Sequence, residues 1–152
     1  NLLSALRALL RRIDRLPALL CHRDNHRRNL MVTRRGGKPQ LVIIDHQDTR
    51  LGPAGYDLAS FLFDSYGTFP PARRRALAKR LAIDLDTPEF RLVALQRPLN
   101  ALGTFGLHVY EKKNSYYAKA IPITLHHTRE HLSVLATCGI HFPNLTTSFA
   151  EC

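Results

Sequence analysis

The chain is 152 residues long, 45% hydrophobic and 22% charged, with 22 Lys plus Arg against 12 Asp plus Glu for a formal net charge of +10. That size suits one compact domain with its own core, and the composition excludes intrinsic disorder. No apolar run approaches the roughly 18 residues of a membrane span, and the scattered Cys21, Cys138 and Cys152 form neither a zinc ribbon nor a disulfide framework, so the expected compartment is the cytoplasm.

Residues 2–15 place Leu2, Leu3, Leu6, Leu9, Leu10 and Ile13 at helical spacing with arginines opposite, and Pro17 ends that predicted helix. Ala18–Cys21 is a short apolar segment that leads into a charged loop over 22–28. Two strand-like runs, 30–33 and 40–44, flank Gly36-Gly37, which predicts a β-hairpin. Asp45 stands at the exit of the second run, and 45–55 reads as a loop. Everything beyond is helical in pattern. One helix is expected over 54–65 and a second over 71–82, with Arg73, Arg74 and Arg75 on a solvated face. A third opens at Thr87-Pro88-Glu89 and runs to about 110 with Pro98 inside it. A fourth covers roughly 116–135 with Pro122 inside it. The tail from Thr137 is weakly patterned, and His126, His127 and His131 read as helix-surface histidines. Gly36-Gly37-Lys38 lacks the spacing of a phosphate-binding P-loop. The predicted fold class is mainly α with a small β-hairpin, in a single domain over 1–152.

One stretch carries chemistry. His22-Arg23-Asp24 is followed five residues after the Asp by Asn29, and the second strand then delivers Asp45. Phosphoryl transfer from ATP needs a carboxylate to accept the proton of the attacking hydroxyl, plus an amide oxygen and a second carboxylate to hold Mg²⁺ over the phosphates. Magnesium takes hard oxygen ligands and leaves several positions to water and phosphate, so one Asn and one Asp suffice. Taken singly, each of these residues is more ordinary as a cap or turn residue. The ordered set, with a hairpin between its parts, is far more specific.

The segment HRDNHRRNLMV and the strand LVIID resemble the C-terminal lobe of the aminoglycoside phosphotransferase superfamily, a protein-kinase-like fold. Within it, LVIIDHQDTRLGPAGYDLASFL and LQRPLNALGTF are similar to the bacterial anomeric kinases of N-acetylmuramate and N-acetylglucosamine used in cell-wall recycling. The resemblance runs from about residue 19 to residue 135. It implies that Asp24 is the catalytic base, that Asn29 and Asp45 are Mg²⁺ ligands, and that His22 and Asp57 support the catalytic loop. Arg23, Arg28, Asp48 and Arg97 are possible phosphate or substrate contacts, Arg97 through a substrate carboxylate. His46 stands where the family more often has Phe or Trp.

The expected activity is therefore ATP-dependent phosphorylation of a sugar hydroxyl, with Mg²⁺, a nucleotide and a small sugar or amino-alcohol as partners. A kinase of this type also needs an N-terminal lobe with a phosphate-pairing lysine. No strand-rich segment of that kind is present, so the chain is expected to be the catalytic lobe of a larger kinase, weak or inactive alone. Two alternatives stand beside this reading. An aminoglycoside or other small-alcohol phosphotransferase uses the same base, although the basic C-terminal helices suit a neutral or anionic acceptor better. A noncatalytic fragment that binds polyanions would explain the net charge, and a pseudokinase would keep the lobe without the chemistry. Specific nucleic-acid binding is not expected, because no aromatic–basic interleaving appears.

Overall fold

The computed structural model describes residues 1–67 and 69–150. Helix α1 (Leu2–Ile13) is capped by Asn1, whose Oδ1 accepts from the Ser4 N–H at 2.9 Å. It buries Ala5, Leu9 and Ile13 at helical spacing. Strand β1 (Ala18–Cys21) pairs antiparallel with β4 (Arg50–Pro53), from Ala18↔Pro53 to Cys21↔Arg50. Gly52 eases that pairing, since a Cβ there would lie a tight 3.2 Å from the Cys21 Sγ. Strands β2 (Leu30–Arg35) and β3 (Lys38–Ile43) form the expected hairpin, closed at Arg35↔Lys38. Both loop residues are left-handed, Gly36 at φ 57° and Gly37 at φ 76°. A two-residue turn of that kind matches the strands' own twist and is open to glycine at little steric cost.

The remaining body is helical. It comprises α2 (Tyr56–Leu62), α3 (Pro71–Arg80), α4 (Pro88–Gly106), α5 (Ile121–Thr137) and α6 (Pro143–Ala150). Thr87 caps α4 by accepting from the Phe90 N–H, as the Thr-Pro-Glu start predicts. Helix α4 is the central element, with α1, α2 and α5 all packed against it. Its Leu92, Val93 and Leu95 meet Leu9 and Ile13 of α1 and Leu132 and Leu135 of α5 in the main core. Its Phe90 and Ala94 join Ala59 and Leu62 of α2 in a second cluster.

Several expectations need correction. Residues 50–53 form a strand rather than part of a loop. The helix expected over 54–65 is the shorter α2, and α4 stops at Gly106. From there a wider turn over Leu107–Glu111 is closed by Lys112 N–H to Leu107 C=O at 3.1 Å. Pro122 sits in the first turn of α5, where a missing N–H costs nothing, and a 3₁₀ segment (Ser115–Ala120) precedes it. The tail contains α6, whose Leu145 is fully buried.

The larger correction concerns polar side chains expected in solvent. Arg74 is buried, bonded to Glu130 at 2.9 Å and stacked 4.5 Å over the Phe63 ring. His127 and His131 are buried too, against that same ring. Arg91 completes the network, with Nη1 on Glu130 and on His131 Nδ1, and Nη2 on Asp86. One carboxylate shared by two guanidiniums lets three helices bury charge that each would otherwise expose. Burial works to raise the Glu130 carboxyl, but the His127 and Arg74 contacts outweigh it and hold the group far below the usual range. Burial and the Arg91 charge keep His131 neutral by pushing its pKa well down. His126, His127 and Glu130 have ligand atoms within 4.8 Å of one another, yet both Glu130 oxygens are already taken by arginines. Among the described residues no helix is long and apolar enough to cross a membrane.

Candidate active site

The loop between β1 and β2 carries the site, and Asp57 at the start of α2 shapes it. The Asp57 Oδ2 accepts from the His22 N–H at 2.7 Å and its Oδ1 from the Arg23 N–H at 2.9 Å. Two successive amides turned onto one carboxylate form an anion nest. The turn that this demands puts Arg23 at φ 73°, a left-handed conformation that costs a non-glycine residue about 1–2 kcal/mol. His22 braces the other side, its Nε2 2.9 Å from the Ile44 carbonyl and its ring 4.9 Å from that of His46. His46, in the place of a larger aromatic, thus packs edge-on to His22 and contacts the Ile43 carbonyl at 2.7 Å.

Asp24 projects from this loop toward α4. Arg97 Nη2 meets its Oδ1 at 2.8 Å, and His26 Nε2 meets its Oδ2 at 3.3 Å. Arg97 is itself steadied by Ser60, to whose Oγ its Nε donates at 3.1 Å. The Asn29 amide donates to the Asp24 carbonyl at 2.9 Å and, at 3.4 Å, to its Oδ2. The His26 hydrogen bond lowers the Asp24 pKa most. Burial opposes it, while the charges of His26 and Arg97 and the Asn29 amide assist it.

Asp45 comes in from β3. The Ile44 N–H donates to the Asn29 carbonyl at 3.0 Å, extending the hairpin ladder past Leu30↔Ile43, so the chain reaches Asp45 directly beside Asn29. Asp45 is exposed and left-handed (φ 68°). Among the described residues no side-chain hydrogen bond or ion pair engages its carboxylate. Because the Asn29 nitrogen is committed to Asp24, the Oδ1 is the atom left to bind a cation. An amide oxygen and an unpaired carboxylate on adjoining strand ends are donors of the kind magnesium takes.

A cavity of about 290 Å³ opens beside Asp24, lined also by Arg23, Asp48, Ser60, Arg97, Asn100 and the aromatic side chains of Tyr66, Phe105 and Tyr117. Asp48 stands exposed at its edge, 3.8 Å from Arg50. Arg28 is not brought into it. Its guanidinium stacks 3.7 Å over the Tyr66 ring and lines a neighbouring cavity. The structure thus gathers His22, Arg23, Asp24, Asn29, Asp57 and Arg97, sets Asp48 at the edge of the cavity, brings Asp45 in on the strand end next to Asn29, and leaves Arg28 outside.

Sequence reasoning missed His26, Ser60 and Asp64. The Asp64 side chain is 1% exposed and accepts from the Arg27 N–H and Nε at 3.2 Å and from the Tyr66 N–H at 2.8 Å. It anchors the far end of the Asp24 loop as Asp57 anchors the near end. Asp64 lies just beyond the end of α2, and no local pattern marks it, because its partner Arg27 is 37 positions away.

The β-hairpin returns the chain beside the Asp24 loop, and α2 supplies the acid that holds that loop. The chain belongs to the phosphotransferase enzyme family (APH), whose model matches residues 1–93, and its mainly α body is the C-terminal lobe of that kinase-like fold. It is similar to the N-acetylmuramate/N-acetylglucosamine kinase of Neisseria meningitidis, 32% identical over 126 residues that cover 74% of this chain and 36% of that protein. The kinases of the same name from Pseudomonas putida and Caulobacter vibrioides are 27% identical over 119 residues and 31% identical over 90. Those matches cover 70% and 59% of this chain, and 34% and 24% of the relatives. The chain thus spans about a third or less of the length of the curated relatives it matches.

Proposed function

We propose that the chain is the acceptor-binding lobe of an ATP-dependent kinase that phosphorylates an N-acetylated amino sugar, N-acetylmuramate or N-acetylglucosamine, in the cytoplasm. The observation that carries this reading is Asp24, held by Arg97 and Asn29 at the wall of a cavity, with the uncommitted Asp45 on the adjoining strand end.

Asp24 accepts the proton of the sugar hydroxyl. A carboxylate whose pKa is held low is a weak base toward a ground-state alcohol. Its first task is to orient the hydroxyl. The proton follows as the new O–P bond draws electrons from the oxygen in a loose transition state. Arg97 and His26 keep the carboxylate ionised and aimed, and His22 and Asp57 keep its loop in place. Asn29 and Asp45 would hold Mg²⁺, which when bound neutralises charge on the transferring phosphates. Asp48, paired with Arg50, serves the loop. Arg97 and Arg23 line the acceptor cavity together with Asp24, Asp48 and Asp64, and with Arg97 paired to Asp24 the unengaged guanidinium on its wall is that of Arg23.

The nucleotide clamp, with its phosphate-pairing lysine, is proposed to lie in another part of the protein. Met31, Val32, Leu41, Val42 and Ile43 leave the hairpin apolar and open, which suits a surface on which such a lobe rests. The 152-residue chain by itself is then slow or inactive. ADP release by the intact protein bearing this chain, assayed with each sugar, tests the proposal. Magnesium-dependent turnover that drops by about 10²–10⁴-fold in Asp24→Ala is the expected result. Turnover indifferent to Asp24, or faster with an aminoglycoside, overturns it.

A further inference from the structure

Arg23 stands where two cavities meet. Together with Tyr56 and Asn100 it lines both the Asp24 cavity and a second one of about 540 Å³ between α1, β4 and α4. The walls of the second cavity are largely apolar, Leu6, Leu10, Leu51 and Leu99 among them, with Arg50 at one side. Gln96, whose buried Oε1 has no hydrogen-bond partner, also lines it.

The Arg23 backbone is held by Asp57 at a left-handed φ of 73°, which fixes where its side chain leaves the loop, and the side chain lines both cavities. Among the described residues no hydrogen bond or ion pair engages its guanidinium. Other arginines nearby are committed: Arg27 to Asp64, and Arg97 to Asp24 and Ser60. Strained backbone beside a reacting group, carrying an uncommitted cation, is a feature that binding an anion would make useful.

We propose that Arg23 selects acceptors that carry a carboxylate, with the carboxylate-bearing substituent passing from the Asp24 cavity toward the second one. The proposal rests on the sugar-kinase reading above. N-acetylmuramate differs from N-acetylglucosamine by a lactyl ether, that is, by a CH group that carries one methyl group and one carboxylate. The second cavity offers apolar walls for the methyl group, and Arg23 offers a planar fork for the carboxylate. Arg97 is the other candidate for that role, but drawing it onto a substrate carboxylate would release the Asp24 oxygen that it holds.

Ligand-observed NMR on the 152-residue chain, titrated separately with the two sugars, reads weak binding without turnover. N-acetylmuramate is expected to bind about tenfold tighter than N-acetylglucosamine. In Arg23→Gln and in Arg23→Gly the ratio falls to about one, while Arg23→Lys keeps part of the preference. The glycine variant removes the charge and relieves the left-handed strain, so a folding defect cannot produce its result. Equal binding of both sugars by the unsubstituted chain, or a preference that survives both substitutions, overturns the proposal. If both sugars bind but Arg23 makes no difference to the ratio, this inference alone falls. If neither sugar binds, the inference falls together with the choice of acceptor in the proposed function.

Discussion

Arg97 and Asp24, 73 residues apart in sequence, meet at 2.8 Å across the cavity. Helix α4 thereby reaches the loop on which the proposed base sits, and Ser60 holds the guanidinium in line from α2. Arg97→Lys keeps a charge but cannot serve Ser60 and Asp24 with one fork. The expected outcome is a kcat reduced by about 10–100-fold. The Asp24 carboxyl should also titrate at higher pH than in the parent, since one of the groups that hold it low is weakened. Carboxyl NMR titration of Asp24 checks the second point. An unmoved titration means that Arg97 does not act on the base.

Asp57 accepts two backbone N–H bonds through two oxygens, and an amide can accept through only one. Asp57→Asn should therefore leave one buried N–H facing an NH₂ group, at a cost of about 2–3 kcal/mol. A urea midpoint measures the loss. Hydrogen exchange localises it: the His22 and Arg23 amides are expected to exchange faster than those of α4. Equal protection in both proteins would show that the loop does not depend on this carboxylate.

The Glu130 network fixes a direction for pH dependence. His131 in the folded chain has a pKa well below the ordinary 6.5, so below about pH 6.5 the unfolded chain binds a proton that the folded chain refuses. Glu130, held far below its ordinary 4.5, acts with the same sign once pH falls past that value. Stability should therefore be highest near neutrality, decline below about pH 6.5 and decline more steeply below about 4.5. Urea unfolding at pH 7.5, 5.5, 4.5 and 3.5 checks this, and His131→Gln should flatten the upper part of the curve. Glu130→Gln should cost about 3–5 kcal/mol at pH 7.5, because it leaves the buried Arg74 guanidinium without its anion and Arg91 with Asp86 alone.

How much of this was legible in the sequence depended on how local each signal was. The hairpin was readable because Gly36-Gly37 and the flanking strand residues all lie within the fourteen positions 30–43, and the start of α4 because Thr87, Pro88 and Glu89 are consecutive. The β1–β4 pair was not, since Leu20 finds Leu51 across 30 residues and neither segment shows a pattern by itself. Arg74 and His131 look like surface residues until Glu130 and Arg91, 56 and 40 positions away, supply their partners. The same asymmetry holds in the site. His22, Asp24 and Asn29 form one spaced motif, whereas Asp64 and Ser60 gain meaning only through Arg27 and Arg97.

The metal donors make the last prediction. The Asp45 carboxylate has no protein partner among the described residues, so Asp45→Asn removes a charge without breaking a side-chain hydrogen bond or ion pair. The variant should unfold at a urea concentration close to that of the parent, within about 0.5 kcal/mol. Asn29 differs, because its amide ties Asp24 from within the loop. Asn29→Ala should lose about 1 kcal/mol as well as a ligand. Manganese, a paramagnetic stand-in for magnesium with the same preference for oxygen, should broaden the NMR signals of Asn29, Asp45 and Asp24 in the parent chain. In Asp45→Asn the broadening should require at least tenfold more metal, the expected consequence of losing the one charged donor. Broadening centred instead on His126 and His127, or spread evenly over exposed acids, would mean that the two strand ends do not form a cation site.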